Sequence, residues 1–338
     1  MRRAAALAAV SLLLAGCAAL RERFASPLGE RVPAASDEAA FARKTIPTYR
    51  LRAPAQGARP AETVVGAVRH YRIRADDTLL DVARWFDLGY NEIVDANPGV
   101  DPWVPPVGTE VVVPTEWVLP CCTYQGIVVN IPELRLYYFR PAPDDPLTTL
   151  VTTYPVGLGR DDRHTPRGKF RVQAKQVNPT WYIPESIRRE HIAERGDARH
   201  VIPGGAPDNP LGGYRLQLSR PIYSIHGTDV PWGIGMEVTH GCVRLYPEDI
   251  ERLYGLVAVG TPVEFTYQPV KLGQRGGAVY VEVQRDIYRY TRSLAAEART
   301  ALARQNLTGR VDRRLLDGAL ARPAGVPLRI SPDGRHAS

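Results

Sequence analysis

The sequence predicts an α+β multidomain chain: a small βααβ module over residues 67–115, a predominantly β domain over 124–268, and a small α/β C-terminal extension over 269–338. Three observations carry that prediction. Two short alternating apolar runs bracket two short helix-compatible stretches between His70 and Val113. From Gly126 to Tyr267 the apolar residues come in short strand-like runs separated by turns, and helical pattern is sparse. Beyond Gln268 a strand-like run, Ala278 to Val283, precedes a helix-forming stretch from Tyr288 to Arg304. At 338 residues, 44% hydrophobic and 23% charged, the chain is long enough for two or three packed domains.

At the amino terminus Arg2 and Arg3 precede an apolar stretch from Ala4 to Leu14, which has the charge and length of a secretory signal over residues 1–16. It is too short to span a bilayer as a mature helix. The stretch ends in Leu14-Ala15-Gly16-Cys17, which is similar to the bacterial lipobox. That resemblance implies lipidation of Cys17, and with no acidic residue at Ala18 or Ala19 it implies a periplasmic protein anchored in the outer membrane. Residues 17–66 are rich in Ala, Pro and Arg with no sustained apolar period and read as a flexible tether.

In the module, His70 to Arg74 alternates like a strand. Thr78 is placed to cap a helix, with Asp81 completing a capping-box arrangement. Leu79, Val82, Ala83 and Phe86 recur at helical spacing, a second short helix covers Asn91 to Ala96, and Glu110 to Val113 forms the closing strand. In the β domain, Ile127–Asn130 and Leu134–Tyr138 form a hairpin around Pro132-Glu133. Thr152 to Val156 and Lys169 to Val172 are further strands, while Pro184–Arg195 and Glu248–Leu256 are the helical candidates. The Arg-, Ala- and Pro-rich end of the chain reads as partly disordered.

A net charge of +7 suggests an anionic partner, but the basic residues are scattered rather than run together, which argues against nucleic acid. The four cysteines are Cys17, Cys121, Cys122 and Cys242. With Cys17 lipidated, three thiols remain. Cys121 and Cys122 are compatible with a vicinal disulfide, with free thiols, or with pairing elsewhere.

The chemistry concentrates in His226-Gly227-Thr228, Gly233-Ile234-Gly235 and Thr239-His240-Gly241-Cys242-Val243-Arg244. A thiol sixteen residues beyond an imidazole, each embedded in glycine, is what nucleophilic thiol catalysis requires. Glycines let successive N–H groups converge on one point, so the N–H groups of Gly241 and Cys242 are candidates for an oxyanion hole. Arg244 is suited to bidentate binding of a carboxylate. A papain-like arrangement is disfavoured because there the Cys precedes the His in the chain. No second His/Cys element with zinc spacing is present, so neither a metal nor a cofactor is implied.

Taken with the upstream turns Gly157-Leu158-Gly159 and Thr165-Pro166-Arg167-Gly168, the element Asn178-Pro179-Thr180-Trp181 and the loop Pro203 to Gly212, this pattern resembles the YkuD-type L,D-transpeptidase family. The resemblance implies Cys242 as nucleophile, His226 as base, the Gly227 carbonyl as the group orienting the ring, and Thr239, His240 and Arg244 as pocket residues. The pieces Tyr71-Arg72-Ile73, Asp77-Thr78-Leu79, Ala96-Asn97-Pro98 and Pro106-Val107-Gly108-Thr109 resemble the LysM module, which implies binding of peptidoglycan glycan. The combination is similar to the enzymes that attach Braun's lipoprotein. It implies peptidoglycan stem peptides as donor and, as acceptor, a lipoprotein lysine, another stem or water.

Overall fold

The computed structural model describes residues 32–34, 36–55 and 58–332. The signal sequence and Cys17 lie outside the described residues. Helix α1 (Glu38–Arg43) and strand β1 (Thr48–Arg52) open the chain, followed by β2 (Val64–Gly66) and β3 (Arg69–Arg72). Helices α2 (Leu79–Trp85) and α3 (Tyr90–Ala96) come next, then β4 (Glu110–Val113) and β5 (Glu116–Val118). The expected βααβ order is therefore present, with β3 antiparallel to β4 and the outer strands β2 and β5 also paired. Thr78 caps α2 by accepting from Asp81 N at 3.1 Å, and Asp81 returns the bond to Thr78 N, the reciprocal arrangement that satisfies two orphan donors of a first turn.

The β domain begins with β6 (Gly126–Asn130), β7 (Arg135–Ala142), β8 (Asp145–Pro155), β9 (Leu158–Gly159) and β10 (Gly168–Val177). β11 (Trp181–Tyr182), α4 (Glu185–Arg195), β12 (Val201–Ile202), β13 (Tyr214–Leu218) and β14 (Ser224–His226) follow. β15 (Glu237–Thr239), β16 (Val243–Arg244), α5 (Pro247–Leu256) and β17 (Pro262–Thr266) complete it. Nine strands make one sheet in the order β1-β8-β7-β6-β17-β10-β13-β14-β16. Only the β6–β17 and β14–β16 neighbours are parallel.

Side-chain alternation explains why all five residues of β6 are buried. Ile127, Val129, Leu136 and Tyr138 face the core of the β domain. Val128, Tyr137 and Phe139 face the other way and share a core with Tyr71, Leu79, Val82 and Ile93 of the module. Each fully buried large apolar side chain contributes roughly 1.5–3 kcal/mol. The module is thus fastened to the back of the catalytic sheet rather than strung beside it.

The tether expected over residues 17–66 is corrected where the chain is described. Asp37 caps α1 by accepting from Ala40 N at 2.9 Å, Phe41 is fully buried, and β1 pairs with β8 at the edge of the main sheet. Lys44 Nζ reaches Asp87, Glu248 and Asp249 at 2.5, 3.3 and 3.2 Å. These partners lie far away in sequence, so an Ala-, Pro- and Arg-rich composition does not reveal them.

The C-terminal extension comprises β18 (Val270–Arg275), β19 (Ala278–Val283), α6 (Leu294–Arg304), α7 (Arg313–Ala321) and β20 (Leu328–Arg329), with the three strands in one sheet. Its first helix begins at Leu294 instead of Tyr288. Ser293 caps it by accepting from Ala296 N, and the Asp286 carboxylate gathers the N–H groups of Tyr290 and Thr291 into a turn. The expected partial disorder does not reach α7 and β20: Asp312 caps α7, Leu316 and Ala319 are buried, and β20 pairs with β19.

Candidate active site

Strands β14 and β16 run parallel, with Ile225 opposite Val243 and His226 opposite Arg244. Alternation sends Ile225 and Val243 into the core, where both are fully buried. It turns Ser224, His226, Cys242 and Arg244 to the opposite face. There a cavity of about 340 Å³ is lined by His226, Thr239, His240, Cys242 and Arg244, together with Trp181, His191 and Pro210 from the two upstream elements singled out in the sequence and from α4 between them. All five side chains predicted for the site are thus brought together.

His226 is 3% exposed. Its Nδ1 lies 2.8 Å from the Gly227 carbonyl and donates to it, which leaves Nε2 as the unprotonated nitrogen. Burial, reinforced by the nearby Arg244 guanidinium and only partly opposed by the Gly227 carbonyl, pushes the imidazole down to about 3. The ring is therefore a neutral base at ordinary pH. Cys242 is a free thiol, as are Cys121 and Cys122. The Cys242 Sγ donates toward the Ile222 carbonyl at 3.7 Å and contacts Ser224 Oγ at 3.7 Å.

Gly241 has φ +102°, and a Cβ there would lie 3.1 Å from the Tyr223 ring and 3.2 Å from the His164 carbonyl. Only glycine fits. The expectation that its N–H serves an oxyanion hole is corrected: that N–H donates to Thr239 Oγ1 at 3.1 Å, and the Thr239 hydroxyl donates to the Cys242 carbonyl at 2.7 Å. Thr239 thus stiffens the nucleophile's turn, and the Cys242 N–H is what remains of the proposed pair. His240 Nε2 lies 2.8 Å from Glu190, which Arg160 also holds at 3.1 Å. The His240 contact, helped by Arg160, pulls the Glu190 carboxyl down to about 2. His240 therefore ties α4 to the nucleophile loop and stands apart from the proton-transfer pair.

Arg244 exchanges backbone bonds with Gly157 at 2.9 Å in each direction, while its buried guanidinium Nε has no hydrogen-bond partner. Arg215, opposite His226 on β13, also leaves its Nε unpartnered, as does His191 its Nδ1. Ser224, Arg215, His191 and Glu190 were not singled out in the sequence. Ser224 was legible in principle, two residues before the base on a strand. The other three meet the site only through folding.

The loop between base and nucleophile is bound to the module. The first-turn N–H groups of α3 donate to it, Tyr90 N to the Ile234 carbonyl at 3.0 Å and Asn91 N to the Gly235 carbonyl at 3.2 Å. A Cβ on Gly235, where φ is +84°, would sit 2.2 Å from Tyr90 N. The glycine therefore serves close docking of the module.

A model of the L,D-transpeptidase catalytic domain, YkuD, matches residues 124–265. The chain is 35% identical over 262 residues to the probable L,D-transpeptidase ErfK/SrfK of Escherichia coli K12, covering 75% of this chain and 82% of that protein. It is 35% identical over 254 residues to the probable L,D-transpeptidase YbiS of the same strain, with 73% and 81% covered. A third relative there, the probable L,D-transpeptidase YcfS, is 36% identical over 230 residues, with 66% and 70% covered. Identity of 35% over some three quarters of this chain and four fifths of those relatives leaves one conclusion: this chain belongs to the YkuD-type L,D-transpeptidase family.

Proposed function

We propose that the chain transfers peptidoglycan stem peptides through a thioester on Cys242. The observation that carries this reading is the free thiol and the neutral His226 imidazole on one face of paired strands, walling one cavity. His226 Nε2 takes the Sγ proton as sulfur attacks the carbonyl carbon of the diaminopimelate at the third position of a tetrapeptide stem. The tetrahedral oxyanion is met by the Cys242 N–H. The C–N bond to D-alanine then breaks, its nitrogen takes the proton from His226, and a thioester remains. An amine attacks that thioester, the C–S bond breaks, and the amine proton returns to sulfur through His226. Arg244, with an unpartnered Nε, receives a stem carboxylate.

We assign the βααβ module to the LysM class, holding the glycan, and Cys17 to lipid anchorage at the periplasmic face of the outer membrane. The preferred acceptor is a lysine of an outer-membrane lipoprotein, on the LysM-plus-YkuD arrangement. The side-chain amine of another stem would give a 3-3 cross-link, and water would make the enzyme a hydrolase. A different class, an inactive wall-binding tether, is opposed by the intact cysteine and imidazole.

Mass spectrometry separates these readings. Purified reduced protein incubated with a carbapenem is expected to gain one adduct on Cys242, and Cys242→Ala none. A folded protein that gains no adduct would leave only the tether. Incubation with muropeptides and a candidate lipoprotein then identifies the acceptor from the product masses.

A further inference from the structure

A second cavity, of about 160 Å³, lies where the module meets the catalytic loop, and no step of the mechanism uses it. Its walls come from three parts of the chain: Glu38 of α1, Asp81, Arg84 and Tyr90 of the module, and Trp232 and Tyr246 of the β domain. It exists only because the module is docked. The two bonds from α3 to the carbonyls of Ile234 and Gly235 hold its sides together.

Trp232 is 59% exposed, an unusual cost for the largest apolar side chain. It sits on a single 3-10 turn, Pro231–Gly233, closed by Gly233 N to the Val230 carbonyl at 3.2 Å and Ile234 N to the Pro231 carbonyl at 3.1 Å. Pro231 restricts the backbone at the start of that turn. The indole is thus presented on a stiff support instead of being left on a loose loop.

The polar wall has a definite character. The Arg84 guanidinium is held from two sides, four of its five N–H groups donating to Glu248 through Nε and Nη2 and to Glu38 through Nη1 and Nη2. Its one remaining N–H, on Nη1, stands beside the Glu38 carboxylate, which opposes an anionic ligand there. What faces the cavity are carboxylate oxygens, which accept from hydroxyl groups, beside aromatic rings, which take the C–H face of a saturated ring. Glu38 is already neutralised by Arg84, so a strongly cationic ligand gains little there. The volume is below the ~300–1,000 Å³ of drug-sized sites and suits one ring. A neutral, hydroxylated ring is the matching chemistry.

The position supplies the connection. Asp229 and Val230 line the catalytic cavity, and Pro231, Trp232 and Ile234 line the junction cavity, so one short loop walls both. We propose that the junction cavity is a saccharide subsite that receives a pyranose ring of the same glycan strand whose stem peptide enters the catalytic cavity. The inference rests on the peptidoglycan reading of the active site and extends it, because it places a sugar contact within the enzyme's own catalytic loop.

The test compares two donors, a free tetrapeptide and the same tetrapeptide carrying its disaccharide, and reads the ratio of their kcat/KM values. A general loss of activity lowers both terms and leaves the ratio alone. For the parent protein the disaccharide form is expected to be favoured by about tenfold, the effect of ~1.4 kcal/mol of added contact. Trp232→Ala should bring the ratio close to one, and Trp232→Phe, which keeps a ring face, should retain most of it. A parent ratio near one, or a tenfold ratio that survives Trp232→Ala, overturns the subsite with the transpeptidase reading intact. Turnover of neither donor, with no carbapenem adduct on Cys242, overturns both.

Discussion

The molecule buries ionisable groups in two kinds of place, and it treats them in opposite ways. At the seams that join the flanking segments to the catalytic sheet, three buried cations are surrounded by carboxylates. Lys44 contacts Asp87, Glu248 and Asp249, Arg84 contacts Glu38 and Glu248, and Lys271 contacts Glu133 and Glu282 at 2.7 and 2.8 Å. At the catalytic site two guanidiniums are under-partnered: the Nε atoms of Arg244, which lines the cavity, and of Arg215, opposite His226 on β13, are buried and unmatched. A cation closed in by carboxylates holds structure together. An under-partnered one carries a desolvation cost that a ligand carboxylate or carbonyl can relieve. The contrast marks which buried charges are for architecture and which are for substrate.

The largest expected effect is at the site. His226→Ala should slow acylation of Cys242 by about 10²–10⁴-fold, the usual contribution of a general base, with the thermal midpoint little changed. Because the folded imidazole is depressed to about 3 from the ordinary 6.5, it stays neutral well into the acid range. The acid limb of the acylation rate should therefore lie below pH 6.5. A limb centred at 6.5 would show a solvated ring and erase the contrast with the seams.

At the C-terminal seam, Lys271→Met leaves Glu133 and Glu282 buried without their ammonium. The expected loss is about 3–5 kcal/mol in denaturant titration, the cost of breaking a buried pair. A neutral outcome would mean that the extension is not held by this cluster. Gly89→Ala acts on the docking contact between module and loop, since a Cβ there would lie 2.6 Å from Gly235 Cα. Overpacking of this kind costs about 1–3 kcal/mol, and the same titration reads it.

The smallest effect sharpens the account of the N-terminal seam. Four carboxylates share two cations there, and burial with too few cations raises Asp249 to about 8. A carboxyl whose folded value exceeds its unfolded value of about 4 binds its proton more tightly in the native state. Stability is then lost as pH rises from about 4 to about 8. Asp249→Asn removes that part of the loss, so the stability difference should move in the variant's favour across the window. Parallel stability curves for variant and parent would show that Asp249 is ionised throughout.

Several elements were legible because their determinants are local. The Thr78–Asp81 cap, the β6–β7 hairpin and the β19 strand fall where capping chemistry and period-two alternation put them. The glycine-embedded His226 and Cys242 were legible for a related reason, since close backbone approach constrains residue type at each position. Other features were hidden because one partner alone carries no signal. Nothing around Thr48 says that it will line up with Thr152, nor does Lys44 announce three carboxylates at positions 87, 248 and 249.

From its residues alone, this chain determined the local elements, the thiol and imidazole, and the family pattern that joins them, because propensity, capping and glycine geometry act over a few residues. Tertiary structure decided the rest: the docking of the module against the catalytic loop, the use of the Gly241 N–H by Thr239, the neutrality of His226 and the two-sided burial of the sheet. Each of these depends on desolvation or on contacts between distant segments, and such quantities exist only once the chain has closed on itself.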